Sequence, residues 1–185
     1  KLWLIEGEPT SPAGPETLRL RIARDQRSAE LRGPQWCRLI TDEARDAVIA
    51  AAGDDPIRDD STGEKAWAKI SRSGRSIASL LMDQSVTAGV GNIYRAEVLF
   101  RHRVNPFKEG RTISRRTWNA MWADLVLLMR DGVTEGRIDS VRDEHLPEAM
   151  GREPRVDRHG GEVYVYRRAG QPCLVCATPV RTQVL

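Results

Sequence analysis

Apolar and polar positions change period along the chain, and each change marks a new element. LRLRI at 18–22 alternates with period two, as does AELR at 29–32, so residues 1 to about 40 read as β. Pro9, Pro12, Gly14 and Pro15 place a loop between strands. From Asp42 the spacing turns helical. DEARDAVIAAA carries acidic residues in its first turn, which suit the positive end of the helix dipole, and Gly53 ends it. After a polar loop holding Pro56, a second helix is predicted over 64–71, with a break at Gly74. Ile77, Leu80 and Leu81 set a third helix that ends at Gln84, and a fourth spans about 92–102 before Pro106. The longest runs from Ser114, a suitable N-cap, to Arg130, with a stop at Gly132. Its Trp118, Met121, Trp122, Leu125, Leu128 and Met129 form one stripe, read as a core face. Residues 133–161 are polar and aperiodic, read as a loop or mobile linker, and VYVY at 163–166 alternates as a strand. The fold class is α+β, with no internal repeat.

Between the third and fourth helices stands AGVGN, at 88–92. Glycine permits positive φ and close approach to the backbone, and Asn92 suits an N-cap. The amides that open a helix lack internal partners and attract anions. Gly89, Gly91 and Asn92 therefore read either as an anion cradle between two helices or as a tight turn with a capped helix.

Composition narrows the class. The chain has 185 residues, 40% hydrophobic and 30% charged, with formal charge +3 and pI about 9.0. No apolar run reaches transmembrane length, and the opening KLWLIE turns acidic too early for a secretory signal. Every basic residue except Lys1, Lys65, Lys69 and Lys108 is arginine, whose forked guanidinium matches phosphate; a GC-rich genome would give the same bias. Three cysteines, with Cys173 and Cys176 as a CxxC, argue against a secreted disulfide framework and for a reducing compartment. Cys37 reads as a small buried hydrophobe. The chain opens without methionine on a strand-like run and stops at Val184 and Leu185 in another, so both ends read as cut.

The run LLMDQ at 80–84, then AGVGNIY at 88–94, Glu97, Leu99, Phe100 and the close RVNP at 103–106 resembles the helix-two-turn-helix signature of the formamidopyrimidine-DNA glycosylase / endonuclease VIII family. The likeness resumes over 163–185, where RRAGQPC resembles an actinobacterial endonuclease VIII branch. It implies four segments: 1–41, the end of an N-terminal β-sandwich; 42–132, the helix-two-turn-helix domain; 133–161, a linker; and 162–185, the first half of a β-hairpin zinc finger. It implies base excision repair on damaged double-stranded DNA by a monomer in the bacterial cytoplasm and nucleoid, with no membrane. The flipped base is excised and the strand cut by β,δ-elimination at the abasic site. Asn92 would contact a phosphate beside the lesion, helped by the amides after Gly91, with Gly89 in the same DNA-binding turn; Tyr94 and Glu97 match family positions too, Tyr94 as a DNA-binding residue or as helix packing, and Glu97 with helix packing as its simpler role. Cys173 and Cys176 would supply two of four ligands to a structural zinc, against a redox pair as the rival reading.

Three departures accompany this likeness. The implied nucleophile is an N-terminal proline followed by glutamate; Lys1 and Leu2 are neither, and no motif surrounds the four lysines, so these residues are expected to hold no catalytic group. Gln35, Trp36 and Cys37 stand where many members carry an arginine and a phenylalanine that fill the gap left by the flipped base. Trp36 either fills it or is a buried strand residue. The second zinc pair and the finger arginine would lie beyond Leu185. The alternative function is a non-catalytic duplex nucleic-acid-binding module, and a zinc-ribbon regulator is a weaker third.

Overall fold

A computed structural model describes residues 2–6, 17–34, 37–157 and 161–183. The predicted loop prolines between 9 and 15, and Gln35 and Trp36, lie outside the described residues. The chain divides into two compact units, Lys1–Val48 and Ile49–Leu185.

The first unit is a three-stranded antiparallel sheet of β1 (Leu2–Glu6), β2 (Leu18–Arg24) and β3 (Arg27–Arg32), in the order β1-β3-β2. The register sets Leu4 and Ile22 opposite Ala29, and Leu20 opposite Leu31, so these residues share one face. Leu4 and Ile22 on that face are 82% and 63% exposed. On β3's other face Glu30 is fully buried between two arginines. Its Oε1 accepts from Arg21 Nε (2.7 Å) and its Oε2 from Arg32 Nε (2.8 Å). Arg32 is the first cause that holds this carboxyl below its usual range. The alternation read from the sequence is present, but the buried set is the polar one. Cys37 is exposed outside any strand, which corrects its expected burial.

The second unit holds α2 (Glu64–Ile70), α3 (Ile77–Met82), α4 (Asn92–Arg101), α5 (Arg115–Glu135) and the short α6 (Pro147–Met150), while the unit boundary falls within α1 (Asp42–Ala51). Its core joins Ile70, Ile77, Leu81, Val98, Trp118, Met121 and Leu125 in one cluster, so the predicted stripe of α5 is its buried face. Gly63 begins α2 at φ 78, and the cap comes from afar: Asp54 Oδ2 accepts from Ala66 N (2.9 Å). Trp118 Nε1 donates to Gly63 O (3.1 Å).

Gly132 does not stop α5. A Cβ there would lie 2.2 Å from Tyr94 Oη, so this glycine is a packing gap, and α5 continues to Gly136, which ends it at φ 68. Nor are 137–157 a bare linker. They contain a 3-10 turn at Asp143–His145 and α6, and they are fastened inward: Ser140 Oγ donates to Glu97 (2.6 Å), and Arg142 N donates to Tyr164 Oη (3.0 Å). The predicted strand at 163–166 is absent for a related reason. The amides of Tyr164, Val165 and Tyr166 all donate to the carboxylate of Glu97, at 2.7 to 2.9 Å, and not to a neighbouring strand. The carbonyls of Val163, Tyr164 and Pro172 face the guanidinium of buried Arg168.

Candidate nucleic-acid interface

The link between α3 and α4 is built on two side chains. Asp83 closes α3, and its Oδ1 accepts from Ser85 N (3.1 Å) and Ser85 Oγ (2.7 Å) while Arg75 Nη1 lies 2.7 Å from Oδ2. The Arg75 bond first, then Ser85, lowers this carboxyl to about 2. Gln84, beyond the end of α3, spans the turn: Gly89 N donates to its Oε1 (2.9 Å), and its Nε2 donates to Val90 O (3.1 Å). Gly89 sits at φ 78, where a side chain would be strained, and an added Cβ would meet Met129 Cε at 3.2 Å.

Gly91, not Asn92, is the N-cap of α4. It is extended, its carbonyl accepts from Arg95 N (3.0 Å), and no side chain caps the helix. Asn92 takes the first helical position, exposed, with no hydrogen bond from its side chain among the described residues. Nothing lies within 4 Å of a Cβ built on Gly91. Two other helices of the core begin differently: Ser76 caps α3 through Ser79 N (3.3 Å), and Ser114 caps α5 through Thr117 N (3.1 Å). The first amides of α4 are thus left for an outside acceptor.

Tyr94, expected on this surface, turns the other way. It is 9% exposed, its hydroxyl donates to Leu128 O (3.4 Å), and burial, with the charge of Asp131, raises its pKa. Two positions along a helix is a rotation of roughly 200°, too wide an angle for Asn92 and Tyr94 to face one ligand. Tyr94 instead packs α4 on α5. Glu97 is fully buried and is the anchor of 163–166, in keeping with its packing role.

Asn92 stands in a groove of about 930 Å³ that also gathers Arg95, Arg103, Arg167, Arg181 and Phe107. Arg95, Arg103 and Arg181 have no ion pair among the described residues; Arg167 lies over the Tyr166 ring at 5.5 Å. Arg103 and Arg167 hold φ of 54 and 53, a region disfavoured for side chains, and each turns the chain at the groove wall. Sequence reasoning passed over these arginines. Arg95 was findable, since no acidic residue stands three or four positions away on α4.

Cys173 and Cys176 occupy a tight hairpin. Cys173 N donates to Thr178 O (2.9 Å), Ala177 N donates to Cys173 O (2.9 Å), and Ala177 holds φ 59. Val175 N points at the buried Cys173 sulfur, 3.4 Å away. Thr178, through its hydroxyl and its amide, and Cys173 lower the pKa of the exposed Cys176 thiol. The pair offers two free thiols on one hairpin; no group of three or more ligating side chains gathers among the described residues.

The second unit is therefore a helix-two-turn-helix domain with a cysteine hairpin beside it. A family model described as the formamidopyrimidine-DNA glycosylase H2TH domain matches residues 52–143. Endonuclease 8 1 of Mycobacterium tuberculosis (strain ATCC 25618 / H37Rv) is 45% identical over 186 aligned residues, covering 99% of this chain and 64% of that protein. Formamidopyrimidine-DNA glycosylase of Teredinibacter turnerae is 27% identical over 183 residues, covering 96% of this chain and 65% of that protein. Among solved structures, MutM (Fpg) from Thermus thermophilus matches all of this chain and 70% of its own at 25% identity, with a TM-score of 0.69. Lactococcus lactis Fpg, solved with an abasic site containing DNA, has the same fold at a TM-score of 0.70 and 18% identity, over 98% of this chain and 66% of its own. The chain belongs to the formamidopyrimidine-DNA glycosylase / endonuclease VIII family, on the endonuclease VIII branch. It spans 64% of the length of that mycobacterial relative.

Proposed function

We propose that this chain is the DNA-gripping part of a base excision repair glycosylase and abasic-site lyase that acts on oxidised bases in double-stranded DNA. The observation that carries the reading is the groove: an uncapped helix start, Asn92 and four arginines without carboxylate partners among the described residues face one space. Such a surface neutralises successive phosphates and holds the duplex in register without reading its sequence. Asn92 and the amides after Gly91 would hold a phosphate beside the lesion, and Gly89 keeps the turn tight enough for that approach. The solved relative with abasic-site DNA supports the same partner. Tyr94 supports the surface from behind.

The expected chemistry is that of an amine nucleophile, and no catalytic motif surrounds any of the four lysines in this sequence. The 185 residues alone are proposed to bind as a monomer and not to cut. A structural zinc fits the cysteine hairpin as far as it goes. Cys173 and Cys176 would hold it with two ligands from elsewhere, and bound zinc would cross-link the hairpin. Cytoplasmic repair on the nucleoid is the setting that fits this activity.

Borohydride trapping on a duplex with one abasic site, beside an anisotropy titration of the same duplex, tests the reading. Tight binding without a covalent band is expected for these residues, and a trapped band is expected once a Pro-Glu start is joined to them. Absence of binding would overturn it in favour of a protein that does not engage DNA; binding with no trapping in either form would favour the non-catalytic duplex-binding module.

A further inference from the structure

Phe107 is an aromatic side chain left 42% exposed in the groove wall. It stands on a loop that is fixed at every turn. Phe107 N donates to Asn105 Oδ1 (2.9 Å), and Lys108 N donates to Asn105 O (3.0 Å). The loop carbonyls are in turn fastened to the start of α3: Ala78 N donates to Pro106 O (3.2 Å) and Ile77 N to Lys108 O (2.8 Å). The ring is therefore presented by a rigid segment and is not a fold-back of a loose loop. The same groove is lined by apolar Leu99, Val104 and Pro106, while Arg95 and Arg103 supply positive charge to it.

A groove that needed only phosphates would gain nothing from an exposed ring and an apolar lining. In a paired duplex the base faces are stacked on one another and present no π surface. Arginines for the backbone with an aromatic platform for a base face is the combination that suits single-stranded nucleic acid. We propose that Phe107 is a stacking platform for an unpaired base, so that the groove takes single-stranded DNA, or an unpaired stretch beside a duplex, in addition to paired DNA. This rests on the DNA-binding reading of the groove and adds a specificity-determining residue to it.

Three oligonucleotides of equal length test this by anisotropy: a paired duplex, the same duplex with a short central gap, and the single strand. Phe107→Ala is expected to weaken binding of the single strand and the gapped duplex by about tenfold or more, and to change the paired duplex by less than about twofold. Phe107→Trp is expected to restore single-strand affinity, with its indole fluorescence quenched on binding. Equal affinity of Phe107→Ala and the parent protein for the single strand, or an equal loss on all three substrates, would overturn the proposal. Arg95→Ala with Arg103→Ala separates the two readings: it should weaken all three substrates. If it weakens none, the groove itself is not the DNA site, whereas a loss in the arginine variant without one in Phe107→Ala removes the platform alone.

Discussion

Two arginine-rich regions of the second unit use the same side chain in opposite ways. In one, four guanidinium groups are matched to carboxylates: Arg101 pairs with Asp124 through two bonds of 2.7 Å, Arg152 with Glu162 at 2.6 Å, Arg137 with Asp139 at 2.6 Å and Arg155 with Asp157 at 2.5 Å. In the groove beside Asn92, Arg95, Arg103 and Arg181 have no such partner among the described residues. The contrast separates arginine that holds the fold from arginine left without a carboxylate among the described residues, which we propose meets phosphate. Net charge is a poor guide here, since +3 is what remains after many internal cancellations. What marks the interface is where cancellation stops.

The strongest way to break the contrast lies on the structural side. Glu97→Ala would leave three amides and the Ser140 hydroxyl without their acceptor, with Tyr164 N and Ser140 Oγ buried. A loss of about 3 kcal/mol or more in denaturant unfolding is expected, with faster hydrogen exchange at 164–166. A change below about 1 kcal/mol would mean that this segment finds other partners. Arg152→Ala should follow, costing about 2 kcal/mol of stability through the half-buried Glu162 pair and leaving duplex affinity unchanged, while Arg103→Ala should do the reverse.

Asp83 sharpens the comparison within the turn itself. Its folded pKa of about 2 lies below the ordinary aspartate value, so its contribution is present above about pH 4 and fades as pH falls towards 2. The contribution is at most about 2 kcal/mol, and less after solvent screening. Asp83→Asn should flatten the acid limb of the stability profile between those values; an unaltered limb would remove the Arg75–Asp83 pair from the account. The smallest effect is expected at Arg103→Gly. Release of the disfavoured backbone at φ 54 should raise stability by about 1 kcal/mol in thermal unfolding, while duplex affinity falls.

Much of this was legible in the chain. The helices, the two-turn glycine pattern and the buried stripe of α5 follow from local period and cap chemistry, which depend on near neighbours. The family signature, from Leu80 to Pro106, is local as well. What was not legible depends on distant partners. VYVY at 163–166 has the alternation of a strand, but its amides are taken by a carboxylate on α4, and no local pattern announces that. Gly132 looks like a helix stop until Tyr94 is known to need the space. Tyr94 and Asn92 lie two positions apart in one signature, yet only the rotation of α4 about its axis decides which faces out. Arg103 and Arg167 are found only once the fold brings their two turns to the same groove.

The central claim is that the groove by Asn92 binds the DNA backbone. The most direct test is duplex affinity as a function of salt for the parent protein and for Arg103→Ala with Arg167→Ala. The account predicts a steep linear fall of log affinity with log salt, and a slope shallower by about 0.9 for each phosphate contact removed, roughly 1.8 for the pair. The same slope for both proteins would contradict it, because the phosphates would then be held elsewhere.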